Sequence, residues 1–272
     1  MPALLPISSN VARLQNPALQ ETTANGSAAY CSTCVMRDLC HPHGDGAQDV
    51  VCMEQLIHAR RCLKRGQRLY GDGDPFHSLY TVRSGFLMSN LQLADGREQV
   101  TGFHMTGEFV GMDGIDSGKY TTSAIALEDS EVCALSYEQI ADLGRDQPSL
   151  LPRFNRMMSR EIAREQGVML LLGSMRAEQR LAVFLLNLLQ RFSARGNSSP
   201  EFKLFMTRQE IGSYLGMKLE TVSRLLSRFQ AEGLLHVHLK QIQILDVAGL
   251  ERIKVWSLDR HSAPATLGRA LN

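Results

Sequence analysis

Three thiols fall within ten residues near the start of the chain, as Cys31-x2-Cys34-x5-Cys40. Thiolate sulfur is the ligand of structural zinc sites and of iron–sulfur clusters alike. The segment Met1 to Asn10 lacks the basic and apolar regions of a secretory leader, so a cytoplasmic location is expected. In that setting clustered cysteines point to metal binding or redox work rather than to structural disulfides. Spacing leaves zinc and iron–sulfur both open. His41 and His43, set among Pro42, Gly44 and Gly46, read as solvated loop side chains. Cys133 lies far downstream in the β-rich run Glu131–Leu135. Cys52 and Cys62 read as small, partly buried residues on local faces.

A second group of reactive side chains sits near the other end. Glu220, Ser223 and Arg224 stand at i, i+3 and i+4, hence on one face of a helix. Arginine can take guanine O6 and N7 together, glutamate can accept from a base amino group, and serine is permissive. The elements around them fit that use. Thr207-Arg208-Gln209-Glu210 is a capping box opening a short helix over Gln209–Leu215, and Gly216 permits a sharp turn. A second helix follows over Leu219–Gln230, with Gly233 as its stop and Val237–Leu245 as a two-stranded wing. Helix, glycine turn and helix make a helix-turn-helix unit, whose second helix presents its first residues to the major groove. Thr207, Arg208 and Lys218 are further candidates for DNA contact.

Stepping by 4, 3, 4 and 3 residues, Met158, Ile162, Glu165, Met169 and Leu172 trace the seam of a helix that pairs with another. Gly173-Ser174 is expected to interrupt it before an apolar helix over Ala177–Arg191. Upstream, short β-rich runs such as Ser78–Val82, Phe86–Met88 and Gln99–Thr101 alternate with glycines, as in an antiparallel roll. Asp95-Gly96 is a hairpin turn. Residues 49–61 read as a short helix.

The expected order is a tail over 1–28, a cysteine-rich loop over 29–48, a β-roll over 49–147 and a dimerisation helix over 148–173. A winged helix-turn-helix over 174–250 and a C-terminal tail over 251–272 complete it. The class is α+β. No apolar run approaches the ~18 residues of a membrane span, so no membrane partner is expected. The formal net charge of +1 conceals a division. Residues 1–150 carry 11 Lys and Arg against 18 Asp and Glu, a formal −7, while residues 151–272 carry 18 against 10, a formal +8. A polyanion partner is therefore expected on the second part alone. With no G-x-G-x-x-G after a strand, no P-loop and no Ser/His/Asp set, an enzyme is not expected.

Met206-Thr-Arg-Gln-Glu-Ile-Gly-Ser-Tyr-Leu-Gly216 followed by Glu220-Thr-Val-Ser-Arg-Leu-Leu226 resembles the reader of the cyclic-AMP receptor protein/FNR superfamily. The glycine-punctuated roll, which is cyclic-nucleotide-binding-like, and the seam helix match the rest of that architecture. Nucleotide-binding members hold a phosphate with an Arg-Ser pair after a Gly-Glu-Leu-Gly turn. Here the turn reads Gly111-Met-Asp-Gly114 and the later segment Thr121-Thr122-Ser123-Ala124, without an arginine; Lys119 is the nearby cation, and no cyclic nucleotide is expected.

Tyr80-Thr-Val-Arg-Ser-Gly85, Gln99-Val-Thr-Gly-Phe-His104 and Gly107-Glu-Phe-Val-Gly111 are similar to the oxygen-sensing FNR branch. That resemblance implies a [4Fe–4S] cluster on Cys31, Cys34, Cys40 and Cys133. It implies a homodimer on double-stranded DNA, a TTGAT-N4-ATCAA-like palindrome and contacts to RNA polymerase, with Ala94-Asp95-Gly96-Arg97 one candidate loop. It also implies that the acid at Glu165, with Ile162 and Met169 beside it, keeps the cluster-free form monomeric. The competing expectations are a zinc- or thiol-redox-switched regulator on the same scaffold, and an iron–sulfur electron-transfer protein.

Overall fold

A computed structural model of the chain describes residues 21–23, 57–146, 150–196 and 199–255. Nine strands build the first part: β1 (Glu21–Thr23), β2 (Ile57–Leu63), β3 (Arg68–Tyr70), β4 (Ser78–Ser84), β5 (Phe86–Gln92), β6 (Glu98–Met105), β7 (Phe109–Val110), β8 (Ser123–Ala126) and β9 (Ser130–Ser136). They form two antiparallel sheets, ordered β1-β2-β9-β4-β7 and β3-β8-β5-β6. Alternation explains the layering, because successive side chains of a strand face opposite sides. In β4, Tyr80 and Val82 enter the interior between the sheets, with Leu87, Ala124, Val132 and Ala134. Leu79 faces outward instead, into a second cluster with Leu135, Ile140 and Met157.

Helix α1 (Tyr137–Asp146) follows the roll, then α2 (Leu150–Ser174) and α3 (Ala177–Ser193). The last part holds β10 (Glu201–Lys203), α4 (Arg208–Leu215), α5 (Leu219–Ala231), β11 (Leu235–His238), β12 (Gln241–Ile244) and α6 (Val247–Val255). Strands β10, β12 and β11 form a small antiparallel sheet beside the two reader helices. This is the expected α+β architecture: a β-roll, a long helix and a winged helix-turn-helix. One apolar cluster joins roll and reader: Phe86, Met88, Phe103 and Met105 of β5 and β6 pack with Leu181, Phe184 and Leu185 of α3 and Ile211 and Leu215 of α4. Each such buried side chain contributes roughly 1.5–3 kcal/mol.

A charged knot reinforces this junction. Glu108, in the turn between β6 and β7, receives Arg191 of α3 at 2.5 Å, Arg195 just beyond α3 at 2.6 Å and Arg164 of α2 at 3.1 Å. Arg191 also donates to the Phe103 carbonyl at 2.7 Å, and Arg164 pairs with Glu161 at 2.6 Å. Burial pushes the Glu108 carboxyl up, but Arg191, then Arg164 and Arg195, overcome that and hold it below the usual carboxylate range.

Four readings change. Strand β2 occupies 57–63, where a helix over 49–61 was expected; residues 49–56 lie outside the described residues. Pairing with β9 from Arg60↔Cys133 to Leu63↔Ser130 overrides the local pattern. Glu21–Thr23, expected in a tail, pairs with β2 as Glu21↔Arg61, Thr22↔Arg60 and Thr23↔Ala59. Helix α2 runs through Gly173 to Ser174, since a glycine near a helix end costs only ~1 kcal/mol. Finally, α6 crosses the boundary set at residue 250 and reaches Val255.

Replacing Glu108 by Gln should lower stability by roughly 3 kcal/mol at neutral pH, because three guanidinium groups lose their counter-charge. The carboxyl is depressed in the folded state, so its contribution is complete above the ordinary glutamate value near 4.3 and disappears as pH falls further. Urea unfolding at neutral and acid pH should show wild type and Glu108→Gln converging in acid.

Candidate nucleic-acid interface and cysteine site

The reader is assembled from its caps inward. Thr207 accepts the Glu210 amide at 3.2 Å, and Glu210 Oε2 accepts the Thr207 amide at 2.5 Å, so the predicted capping box starts α4. Gly216 ends it in the left-handed conformation, at φ 62°. Gly212 is as necessary: a Cβ there would meet the Met217 carbonyl oxygen at 2.6 Å, so only glycine lets the turn close on α4. Helix α5 buries Val222, Leu226 and Phe229 and leaves the opposite face outward.

Glu220 and Arg224 are exposed on that outer face and Ser223 is half-buried between them. Lys218, exposed, is the N-cap residue of α5 and contributes no side-chain cap. Arg208 of α4 donates to the Ser223 hydroxyl at 3.3 Å. The structure thus brings five of the six predicted residues to the α4–α5 junction around the start of α5. Thr207, whose hydroxyl is engaged as a cap, stands at the start of α4. Such a face, with cations around the first turn of a second helix, can enter a major groove.

The middle of the expected seam is exposed on α2. Ile162 is 53% exposed, Met169 66% and the neighbouring Leu170 63%, large values for apolar side chains in a row along one helix. Glu165 is exposed among them. Its sequence neighbour Arg164 is committed to Glu108 and Glu161, and Glu165 has no ion pair among the described residues. The ends of the seam turn back into the chain: Met158 is half-buried, and Leu172 packs on the roll–reader core.

Arg180 was not singled out by sequence reasoning, yet it forms the joint beneath that seam. Its guanidinium donates to the carbonyls of Leu172 at 2.7 Å, Met175 at 2.9 Å and Leu215 at 3.0 Å. These carbonyls lie at the C-terminal ends of α2 and α4, where backbone acceptors lack helical partners. A charged residue inside an apolar helical pattern was the available signal. Arg228 likewise ties α5 to α3 through Glu178 at 2.8 Å.

Cys133 is 5% exposed on β9, the middle strand of its sheet. Directly opposite are Arg60 of β2 and Thr81 of β4, and opposed residues in an antiparallel ladder project to the same side. Two residues further on, Leu135 packs with Met157 of α2, with Phe154 of the same helix against that cluster. Cys31, Cys34 and Cys40 lie outside the described residues, as do Cys52, His41 and His43. Cys62 is exposed, against the expectation of partial burial. Among the described residues no group of three or more His, Cys, Asp or Glu is placed to hold a metal, and no helix is long and apolar enough to cross a membrane.

Two family models match the chain: a cyclic nucleotide-binding domain over residues 60–147 and a Crp-like helix-turn-helix domain over 179–253. The transcriptional regulatory protein btr of Bordetella pertussis is 46% identical over 226 residues, covering 83% of this chain and 93% of that protein. The fumarate and nitrate reduction regulatory protein of Vibrio cholerae is 42% identical over 236 residues, covering 87% and 94%. Among solved structures, FixK2 from Bradyrhizobium japonicum superposes with a TM-score of 0.65 at 29% identity, over 71% of this chain and 96% of that one. Roll, seam helix and reader, in that order and at that identity, make the chain an FNR-type member of the CRP/FNR superfamily, a DNA-binding transcription regulator and not an enzyme.

Proposed function

We propose that the chain is an oxygen-responsive regulator whose Cys31, Cys34, Cys40 and Cys133 hold a [4Fe–4S] cluster. The observation that carries this is the position of Cys133, buried on the middle strand of a sheet whose neighbouring strand β2 is the continuation of the cysteine-bearing segment. Chain length permits the closure: Thr23 is paired in the sheet, and Cys31, eight residues later, has a reach of up to ~28 Å. Four thiols and no carboxylate suit iron–sulfur ligation. The relative named for fumarate and nitrate reduction supports a respiratory, oxygen-dependent role.

When bound, a [4Fe–4S] cluster would supply iron that ties the four cysteine thiolates together, a link that oxygen can destroy. This chain's residues convert such anchoring into pairing. Residues 30–46, held to Cys133, brace β9, and Leu135 presses on Met157 and Phe154 at the start of α2. Ile162, Met169 and Leu170 then meet their copies in a twofold homodimer, which suits a palindrome of the TTGAT-N4-ATCAA kind. Glu165 opposes pairing by facing its own copy, and without the anchor the monomer prevails. The exposed hairpin Ala94–Arg97, locked by the Arg97–Asp95 pair at 2.7 Å, is a candidate contact for RNA polymerase. A cytoplasmic location follows from this role.

Four outcomes test the reading. Protein purified without oxygen should be brown, carry about four irons per chain and bleach in air; a colourless protein retaining one zinc overturns the cluster. In air, Glu165→Ala should dimerise and bind operator DNA more tightly than wild type, as read by sedimentation and gel shift; equal binding refutes the repulsion. Arg224→Ala should cost about 2 kcal/mol on the operator and relax preference at one guanine. Lys218→Ala, by contrast, should weaken all sequences alike and reduce the salt slope by about one.

A further inference from the structure

The Asp113 carboxylate lies in the short 3-10 turn Met112–Gly114 that follows β7, and it reaches across to the residues just before β8. One of its oxygens, Oδ2, accepts four hydrogen bonds. They come from the Thr121 amide at 2.8 Å, the Thr122 amide at 2.8 Å, the Thr122 hydroxyl at 3.0 Å and the Thr121 hydroxyl at 3.1 Å. Two successive backbone N–H groups with two hydroxyls converging on one point form a concavity suited to an anion. Here the anion is supplied by the chain itself. Asp113 and Thr122 also line a cavity of about 900 Å³ between the roll, α2, α3 and α4. The hydroxyl of Tyr70, a residue 5% exposed, borders the same cavity, near Thr122 but without a well-formed hydrogen bond.

The turn has mechanical neighbours. Met112 and Ile115, on either side of Asp113-Gly114, pack against the cluster of Leu79, Leu135 and Ile140 with Met157 and Phe154 of α2. Whatever fills the cradle therefore fixes the turn against the start of the long helix. Lys119, the cation nearby in sequence, is exposed and leaves the cradle to the carboxylate.

From this geometry we infer that Asp113 is a tethered anion, occupying a latent oxyanion site and holding the turn on α2 in the way a diffusible anionic ligand would. The site is a carboxylate- or phosphate-sized cradle that opens only when Asp113 is removed. It follows that this cradle is permanently in its filled state in the native chain.

Chemical rescue tests the inference on the full-length protein. Asp113→Ala should lower the melting temperature by about 5 °C, the consequence of losing a few charge-assisted hydrogen bonds in a domain of this size. Sodium formate should restore at least half of that loss, whereas sodium chloride at the same ionic strength should not, and formate should leave the wild type unmoved. Asp113→Asn, which keeps the acceptor and the shape but loses the charge, should melt between wild type and Asp113→Ala. A formate response no larger than that to chloride overturns the cradle. An Asp113→Asn protein melting with the wild type overturns the role of charge, even where Asp113→Ala proves too unstable to purify.

Discussion

One carboxylate sets how the parts of this chain lie against each other. Glu108 stands in a turn of the roll, and its three arginines come from α2, from α3 and from the residues just after α3. Because the site is largely closed to water, the attraction is screened far less than a surface pair would be. The angle at which the long helix leaves the roll, and the attitude of the reader at its far end, both descend from that point. Arg164 divides itself between Glu108 and Glu161, so the seam helix is held by the same charges that join roll to reader.

Helix α2 consequently has two unlike faces. Its end is fastened inward, by Leu171 and Leu172 in the shared core and by Arg180 on the terminal carbonyls. Its middle shows Ile162, Met169 and Leu170 to the outside. A helix held at both ends, with apolar side chains exposed on either side of Glu165 between them, offers a partner a face already in place. Ser213 of α4 adds a polar clasp on the edge strand of the roll, accepting the Val100 amide at 2.9 Å and, through its carbonyl, the Gln99 side chain. With a continuous apolar cluster beneath that clasp, swinging the reader away would expose Phe103, Phe184 and their neighbours to water.

What could be read from residue order was whatever is governed by local period and local chemistry. The capping box, the Gly216 turn and the outward Glu220–Ser223–Arg224 face are contained within two adjacent helices, so spacing alone specified them. The seam was legible for the same reason. Glu108 was not, because its partners lie 56, 83 and 87 residues away and nothing in Gly107-Glu108-Phe109 announces them. Strand β2 was misread as helix because its conformation is dictated by β9 across the sheet rather than by its own pattern. Gly212 escaped notice since its necessity lies in a carbonyl five residues on, visible only once the turn has closed. Asp113 was visible only as a member of the Gly111–Gly114 turn; that its carboxylate accepts from Thr121 and Thr122 needed coordinates.

The pairing of β1 with β2 has a topological consequence. Thr23 and Ile57, the described residues on either side of 24–56, both belong to this sheet, so the chain leaves it and returns to it there. The entropy of bringing the two ends of such a loop together rises only slowly with its length, by ~0.6 kcal/mol per doubling, and here the sheet has already absorbed it. For the proposed site this means that Cys31, Cys34 and Cys40 are connected to the sheet along the chain from both sides, at Thr23 and at Ile57. A single cut between Thr23 and Ile57 would leave both pieces paired to the sheet and those thiols connected to it from one side only.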